Sequence, residues 1–331
     1  MSRLVFHPLP AILRQKPACF KKLSVASKVA ATKRKRQLVV EPLIVGLLLA
    51  AALMHASWNA ILKSDQSDRL ATFGVIMSTG TVMGLFIVPF VPMIEPGAWK
   101  YLVSSVLIHG AYYYFLLKAY SYGDLSHTYP IARGLGPLLV ALVSGRFIGE
   151  HLRTQDIVGV LLLSFGLIAL AMPLKAAAPR PGARHGLATL FAMLTGVTIA
   201  GYIIADGLGV RAAGPTFEHR ISYIGWLAVL EGPWLLVLAI TLRPGTVWVH
   251  LRSKWYRGVI GGLIANTGYG IAIYALALGP MAHVAALRET SVLFGALMGT
   301  LLLGEPFGAR RVAAAAVIVI GLVLMNAPRL F

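Results

Sequence analysis

The stretch His127-Thr128-Tyr129-Pro130-Ile131-Ala132-Arg133-Gly134-Leu135-Gly136-Pro137 decides how this chain is read. It sets an arginine inside an apolar run, Leu125 to Phe147. That run is long enough to cross a bilayer, which takes about 20 residues. A charge at that depth costs about 2.5–3.5 kcal/mol on insertion scales, so it marks a functional group with a partner. A second stretch, Ala286-Leu287-Arg288-Glu289-Thr290-Ser291, repeats the arrangement later in the chain.

Working outward, the 331 residues are 57% hydrophobic and 13% charged, with mean hydropathy +0.75. Soluble domains carry about 25% charged residues, so the composition indicates an all-α integral membrane protein. The net charge of +18 is concentrated at one end. The first 40 residues hold ten of the 30 lysines and arginines and no acid. Basic loops on a membrane protein account for the rest, and nucleic-acid binding is not implied. The single cysteine, Cys19, forms no intrachain disulfide. Residues 1–40 lack a continuous apolar segment and a cleavage site. They are expected to be a disordered cytoplasmic arm or an over-extended gene start.

Ten apolar runs follow. The first five are Leu43 to Leu62, Ala71 to Ile94, Tyr101 to Tyr120, Leu125 to Phe147 and Ile157 to Leu174. The second five are Gly186 to Ala205, Ile221 to Thr241, Gly258 to Leu278, Met281 to Leu303 and Val312 to Ala327. Residues 41–174 and 186–327 form two repeats joined by 175–185. A shift of 155 residues superposes Arg133 on Arg288, Gly149-Glu150 on Gly304-Glu305 and Gly166-Leu167 on Gly321-Leu322. Five helices per half is an odd number, so the second half enters from the opposite side. This predicts ten transmembrane helices as two inverted five-helix repeats, with a substrate site between the halves. Counted over loops, the basic residues favour a cytoplasmic N-terminus only when the tail is included, sixteen against twelve.

The candidate site residues lie on both halves. His55, Trp58 and Asn59 share one face of the first helix by spacing. They are either a polar stripe toward a cavity or interhelical bonds worth about 0.6–2 kcal/mol each. Tyr129 and Arg133 sit among two prolines and two glycines, which loosen the backbone where it lines protein or a water-filled cavity. The Arg133 guanidinium suits a carboxylate or phosphate, or an internal salt bridge. Arg288 and Glu289 are adjacent and diverge by about 100° on a helix, so pairing across the halves, Arg133 with Glu289, is expected instead. Glu231, beside Gly232-Pro233, is a candidate proton carrier. Tyr113, Asn266 and Tyr269 are mid-run and suited to line a cavity. Asp206 and Arg211 sit at a helix end, where they are either groups that carry chemistry or equally a loop salt bridge. No phosphate-binding glycine loop, catalytic-serine motif or metal-ligand spacing is present. No cofactor and no metal are therefore expected.

Ten helices in two repeats, each closing on Ile148-Gly149-Glu150 or Leu303-Gly304-Glu305, resemble the EamA-type family of the drug/metabolite transporter superfamily. The segments that carry the likeness are His55 to Asn59, Tyr129 to Gly134 and Leu287 to Phe294. The resemblance implies a ten-helix carrier of small metabolites with alternating access and cytoplasmic termini. It also implies a cavity lined by the first four helices of each half, with the fifth peripheral. The family's N-termini are short, so the basic tail departs from its pattern.

The reading is a secondary transporter, not an enzyme, in the cytoplasmic membrane. Its expected cargo is an amino-acid-like zwitterion or organic anion, moved as a monomer or homodimer and driven by a substrate or proton gradient. Its other partner is the lipid bilayer. A membrane enzyme acting on lipid would need an acid/base pair near one interface, and a scaffold would not justify mid-membrane arginines.

Overall fold

The computed structural model describes residues 42–64, 69–123, 125–171, 184–303 and 308–327. The basic tail, almost all of the 175–185 connection and Gly304-Glu305 lie outside the described residues. The elements are α1 (Pro42–Ser64), α2 (Arg69–Ile87), α3 (Trp99–Tyr122), α4 (Leu125–Val143), α5 (Thr154–Ala171), α6 (His185–Ala212), α7 (Phe217–Glu231), α8 (Pro233–Leu242), α9 (Pro244–Leu278), α10 (Met281–Arg288), α11 (Thr290–Leu303) and α12 (Ala309–Asn326). Among the described residues there is no strand. This follows from composition: in hydrocarbon the backbone must satisfy its own donors and acceptors, and helices do so locally.

Among the described residues, seven helical segments are long and apolar enough to cross a membrane. They are Pro42–Leu62, Leu70–Phe90, Ile131–Ile148, His185–Ala212, Phe217–Leu242, Leu251–Leu278 and Ala309–Asn326, with Thr154–Leu170 a shorter apolar helix. The remaining predicted runs are helical as well. α3 carries serines, a histidine and a row of tyrosines, while the ninth run is divided into α10 and α11.

Several local expectations change. The seventh run breaks at Gly232, where the proline at 233 restarts the helix. The ninth breaks at Glu289. The eighth begins at Pro244, so Arg252, Lys254 and Arg257 are helical and not loop residues. Proline fits the first helical turn, and after Gly245 neither glycine nor proline follows until Gly258. The expected loosening around Arg133 is absent: α4 is continuous. Its glycines serve packing, because a Cβ on Gly134 would press on Ile168 and one on Gly136 on Ile199.

Each half packs against the other by a pseudo-two-fold rule. α3 lies on α6 as α9 lies on α1, α2 lies on α7–α8, and α5 lies on α12. The last two contacts join equivalent helices of the two halves, and both are antiparallel. Gln155 Nε2 reaches the Leu324 carbonyl at 3.0 Å, while Arg310 Nη2 reaches the Ala169 carbonyl at 3.2 Å. Those two bonds exchange under the 155-residue shift. Between them the backbones meet at glycine, since a Cβ on Gly159 would fall 2.6 Å from the Gly321 carbonyl. Small residues allow this approach where no hydrophobic driving force separates protein from lipid. Along α2, Ser78 Oγ and Thr81 Oγ1 donate to the carbonyls of Gly232 (3.4 Å) and Ala228 (3.2 Å), which patches the helix break.

One end is tied by the Gly149-Glu150 turn. The last turn of the fourth helix, Ser144–Ile148, widens to π geometry and stops at Gly149 in the left-handed region, φ 80°. Glycine has no Cβ to oppose that angle. Glu150 is thereby aimed at the second half: Oε2 accepts the Met281 amide at 2.9 Å, and Oε1 accepts Arg211 Nη2 at 2.9 Å. Arg211 also donates to the carbonyls of Leu276 and Gly279.

Candidate functional site

Between the halves lies a cavity of about 90 Å³. Water needs about 10–15 Å³ on this measure, so the space admits several waters or a small ligand. α1 contributes His55 and Trp58, α2 Phe73 and Met77, and α3 His109, Tyr112 and Tyr113. The second half contributes Tyr202 from α6, Glu231 from α7, Asn266 and Tyr269 from α9, and Arg288 from α10. α5 and α12 are absent from the lining, and so is α4, which the resemblance had placed there.

Aromatic rings form the walls. Trp58 stacks on Phe73 with centroids 5.8 Å apart, and Phe73 meets the Tyr113 ring edge-to-face. His109 stacks on Tyr202 at 4.1 Å. Trp58 Nε1 donates to His55 Nδ1 at 3.3 Å, which leaves the hydrogen of a neutral His55 on Nε2. Asn266 donates to the carbonyls of Ile76 (3.1 Å) and Gly262 (2.8 Å) and so pins α9 to α2.

The charges fall into two groups. Arg133 Nε lies 3.0 Å from Glu289 Oε2, joining the two halves at a buried position. Neither atom has an aligned hydrogen bond, so this contact is a charge pair; Arg133 Nη2 separately donates to Ser291 Oγ at 3.0 Å. Tyr129 lies under the same guanidinium at 5.9 Å. These residues bridge α4 to the α10–α11 break and stand outside the cavity lining.

The second group lies at the cavity: His109, Tyr113, Glu231, Tyr269 and Arg288 line it, with Asp206 and Tyr223 buried behind Tyr269. Tyr113 Oη donates to Glu231 Oε1 at 2.6 Å, with His109 Nε2 3.7 Å from the same oxygen. Tyr269 Oη donates to Asp206 Oδ2 at 2.5 Å, and Tyr223 Oη donates to Oδ1 at 3.2 Å. Arg288 sits over the Tyr269 ring at 5.0 Å and has no ion-pair partner among the described residues. The reason is sequence asymmetry. The residue aligned with Glu289 in the first half is Gly134, so one glutamate serves two arginines and pairs with Arg133. Arg288 is left to the cavity.

Seven of the eleven candidates line this space: His55, Trp58, Tyr113, Glu231, Asn266, Tyr269 and Arg288. Asn59 does not. It is exposed, with its amide donated to the His55 carbonyl one turn back. Tyr129, Arg133 and Glu289 form the adjacent pair. The Asp206–Arg211 bridge is replaced: Asp206 is 0% exposed and held by tyrosines, while Arg211 pairs with Glu150. Sequence reasoning passed over His109, whose signal was a histidine one turn from Tyr112-Tyr113.

The architecture has relatives. The EamA-like transporter family matches residues 42–172 and again residues 186–327. An uncharacterized protein of Pseudomonas aeruginosa, PA1977, is 30% identical over 189 residues, 57% of this chain and 61% of that protein. The chain thus matches about three fifths of that relative's length. A solved crystal structure of a protein superposes with a TM-score of 0.61 at 22% identity, over 85% of this chain and 94% of that one, a likeness of fold alone. With both repeats matched across nearly all of the described residues, the chain is a membrane protein that belongs to the EamA-like transporter family.

Proposed function

We propose that the chain is a secondary transporter that carries a small amino-acid-like zwitterion or organic anion by alternating access. In this reading ten helices span the cytoplasmic membrane as two inverted five-helix repeats, with both termini cytoplasmic. The antiparallel packing of α2 on α7–α8 and of α5 on α12 supports the inversion. Rocking of one repeat against the other exposes the cavity to each side in turn.

The observation that carries the proposal is the Arg288 guanidinium, without an ion-pair partner among the described residues, facing the same aromatic cavity as the Glu231 carboxylate. Arginine offers a planar fork that fits a carboxylate through two bonds. Glu231 offers an acceptor to an ammonium, and the rings bind an apolar or cationic body through their faces. A zwitterion satisfies both charges; an anion satisfies Arg288 alone.

Purified protein reconstituted in proteoliposomes tests this. The expected result is uptake or counterflow of at least one labelled amino acid or carboxylate from a panel, competed by unlabelled compound. Protein-free vesicles give the baseline. Rates at that baseline for the whole panel under both substrate and proton gradients would remove the carrier reading.

A further inference from the structure

α9 is longer than a bilayer requires. Its 35 residues run about 52 Å at 1.5 Å each, against a hydrocarbon core of about 30 Å. Counted back from Leu278, about 20 residues fill that core and reach Val259. The first part of the helix, from Pro244, therefore emerges into the headgroup layer and the water beyond it. One face of this part is held by protein. Val247 is buried with Ala71 and Ala239, and a Cβ on Gly258 would press on Val75 of α2.

No described residue covers the opposite face. Trp248, Arg252, Trp255 and Tyr256 are all exposed. At about 100° per residue Arg252 falls in the middle of this stripe, one turn after Trp248 and one turn before Trp255 and Tyr256. Lys254 and Arg257, half-buried, stand along one edge. Toward the membrane interior the stripe continues as exposed Ile260 and Leu263. Among the described residues Arg252, Lys254 and Arg257 have no ion-pair partner. No acid occurs between Glu231 and Glu289, a stretch that covers α8, α9 and nearly all of the seam to α10. Three cations thus stand among exposed rings with no anion supplied by their own or the adjoining helices.

We propose that this outward stripe of α9 binds an anionic phospholipid, with Arg252 taking the phosphate among the rings of Trp248, Trp255 and Tyr256. A guanidinium fork matches two phosphate oxygens. Tryptophan and tyrosine settle at headgroup depth because each ring is apolar while its N–H or O–H end is wet. Ile260 and Leu263 give the acyl chains an apolar track directly below. Net charge selects the headgroup. A zwitterionic lipid brings an ammonium that Lys254 and Arg257 repel, whereas an anionic one brings the negative charge that the three cations lack. α9 also carries Asn266 and Tyr269, so the lipid holds one end of a helix that lines the cavity. The site does not rest on the transporter reading.

The test is tryptophan quenching on the full chain in phosphatidylcholine nanodiscs doped with brominated phosphatidylglycerol or brominated phosphatidylcholine. The chain has six tryptophans, and the Trp248→Phe, Trp255→Phe double variant supplies the signal of the others for subtraction. Half-maximal quenching is expected at a mole fraction of brominated phosphatidylglycerol at least about tenfold below that of brominated phosphatidylcholine. Arg252→Gln should raise that mole fraction about fivefold. Adding Lys254→Gln and Arg257→Gln should abolish the preference. Equal quenching by the two brominated lipids overturns the proposal, and this comparison needs only the wild type should a variant fail to fold. Absence of quenching by either lipid means that a second copy covers the stripe, which overturns it as well. So does a preference that survives the triple variant, or displacement by inorganic phosphate, which would make the stripe a site for free anions.

Discussion

Arg133 Nε and Glu289 Oε2 stand 3.0 Å apart across the two repeats. The arginine that draws attention in the sequence is neutralised, and its register mate Arg288 is the cation left facing the cavity.

The pair makes a prediction about stability. Removing one member of a buried ion pair strands the other, at about 3–5 kcal/mol. Arg133→Ala and Glu289→Ala should each lower the detergent melting temperature markedly. The double variant Arg133→Met with Glu289→Met should recover most of the loss. Additive losses in that cycle would mean the two side chains are not coupled.

Arg288 should behave in the opposite way. Its guanidinium faces the cavity without an ion-pair partner among the described residues, so Arg288→Ala should leave the melting temperature within a few degrees of wild type. Loss of a charged hydrogen-bonded contact, about 1.5–3 kcal/mol, predicts roughly 10–150-fold weaker substrate binding. Arg288→Lys should recover part of it, because a point charge cannot reproduce the planar fork. Isothermal calorimetry with a transported compound reads the difference.

Glu150 joins the Met281 amide to Arg211. Glu150→Ala leaves that helix start without its acceptor, an effect of about 0.5–2 kcal/mol. Arg211→Ala added to it should cost little more from the lost pair, since the partner has already gone. Equal and additive shifts in thermal unfolding would show that the clasp is not a unit.

The α5–α12 seam is predicted to reject side chains. Gly166→Val would press Cβ on Ile318 and 3.0 Å from the Ala314 carbonyl. Overpacking of this kind costs about 1–3 kcal/mol. Gly46→Val, in a helix where a Cβ would meet nothing within 4 Å, is the control and should be near neutral. Comparable melting temperatures for the two would contradict the seam.

The helices, their order and the doubling of the chain were legible because a bilayer imposes a length and an internally bonded backbone on each segment. The Arg133–Glu289 pairing was legible too, since neighbouring residues on one helix diverge while a buried charge demands a partner. What failed was facing. Asn59 shares a helical stripe with His55, yet it is exposed and bonds its own backbone. Asp206 has glycine at 207 and an arginine five residues on, which reads as a helix end; α6 continues to Ala212 and buries it.

The amino-acid sequence by itself thus determined an all-helical membrane protein built of two repeats, with charges placed at membrane depth. The tertiary structure alone decided which polar groups meet: Arg133 with Glu289, Glu150 with Arg211, and Tyr269 with both His109 and Asp206. The reason is physical. In a soluble helix the polar face announces its direction, whereas here large apolar residues such as Phe86, Phe147 and Phe165 cover the outside as others fill the core. When lipid and interior are equally apolar, periodicity carries little information about facing, and only packing across the pseudo-two-fold brings the polar groups together.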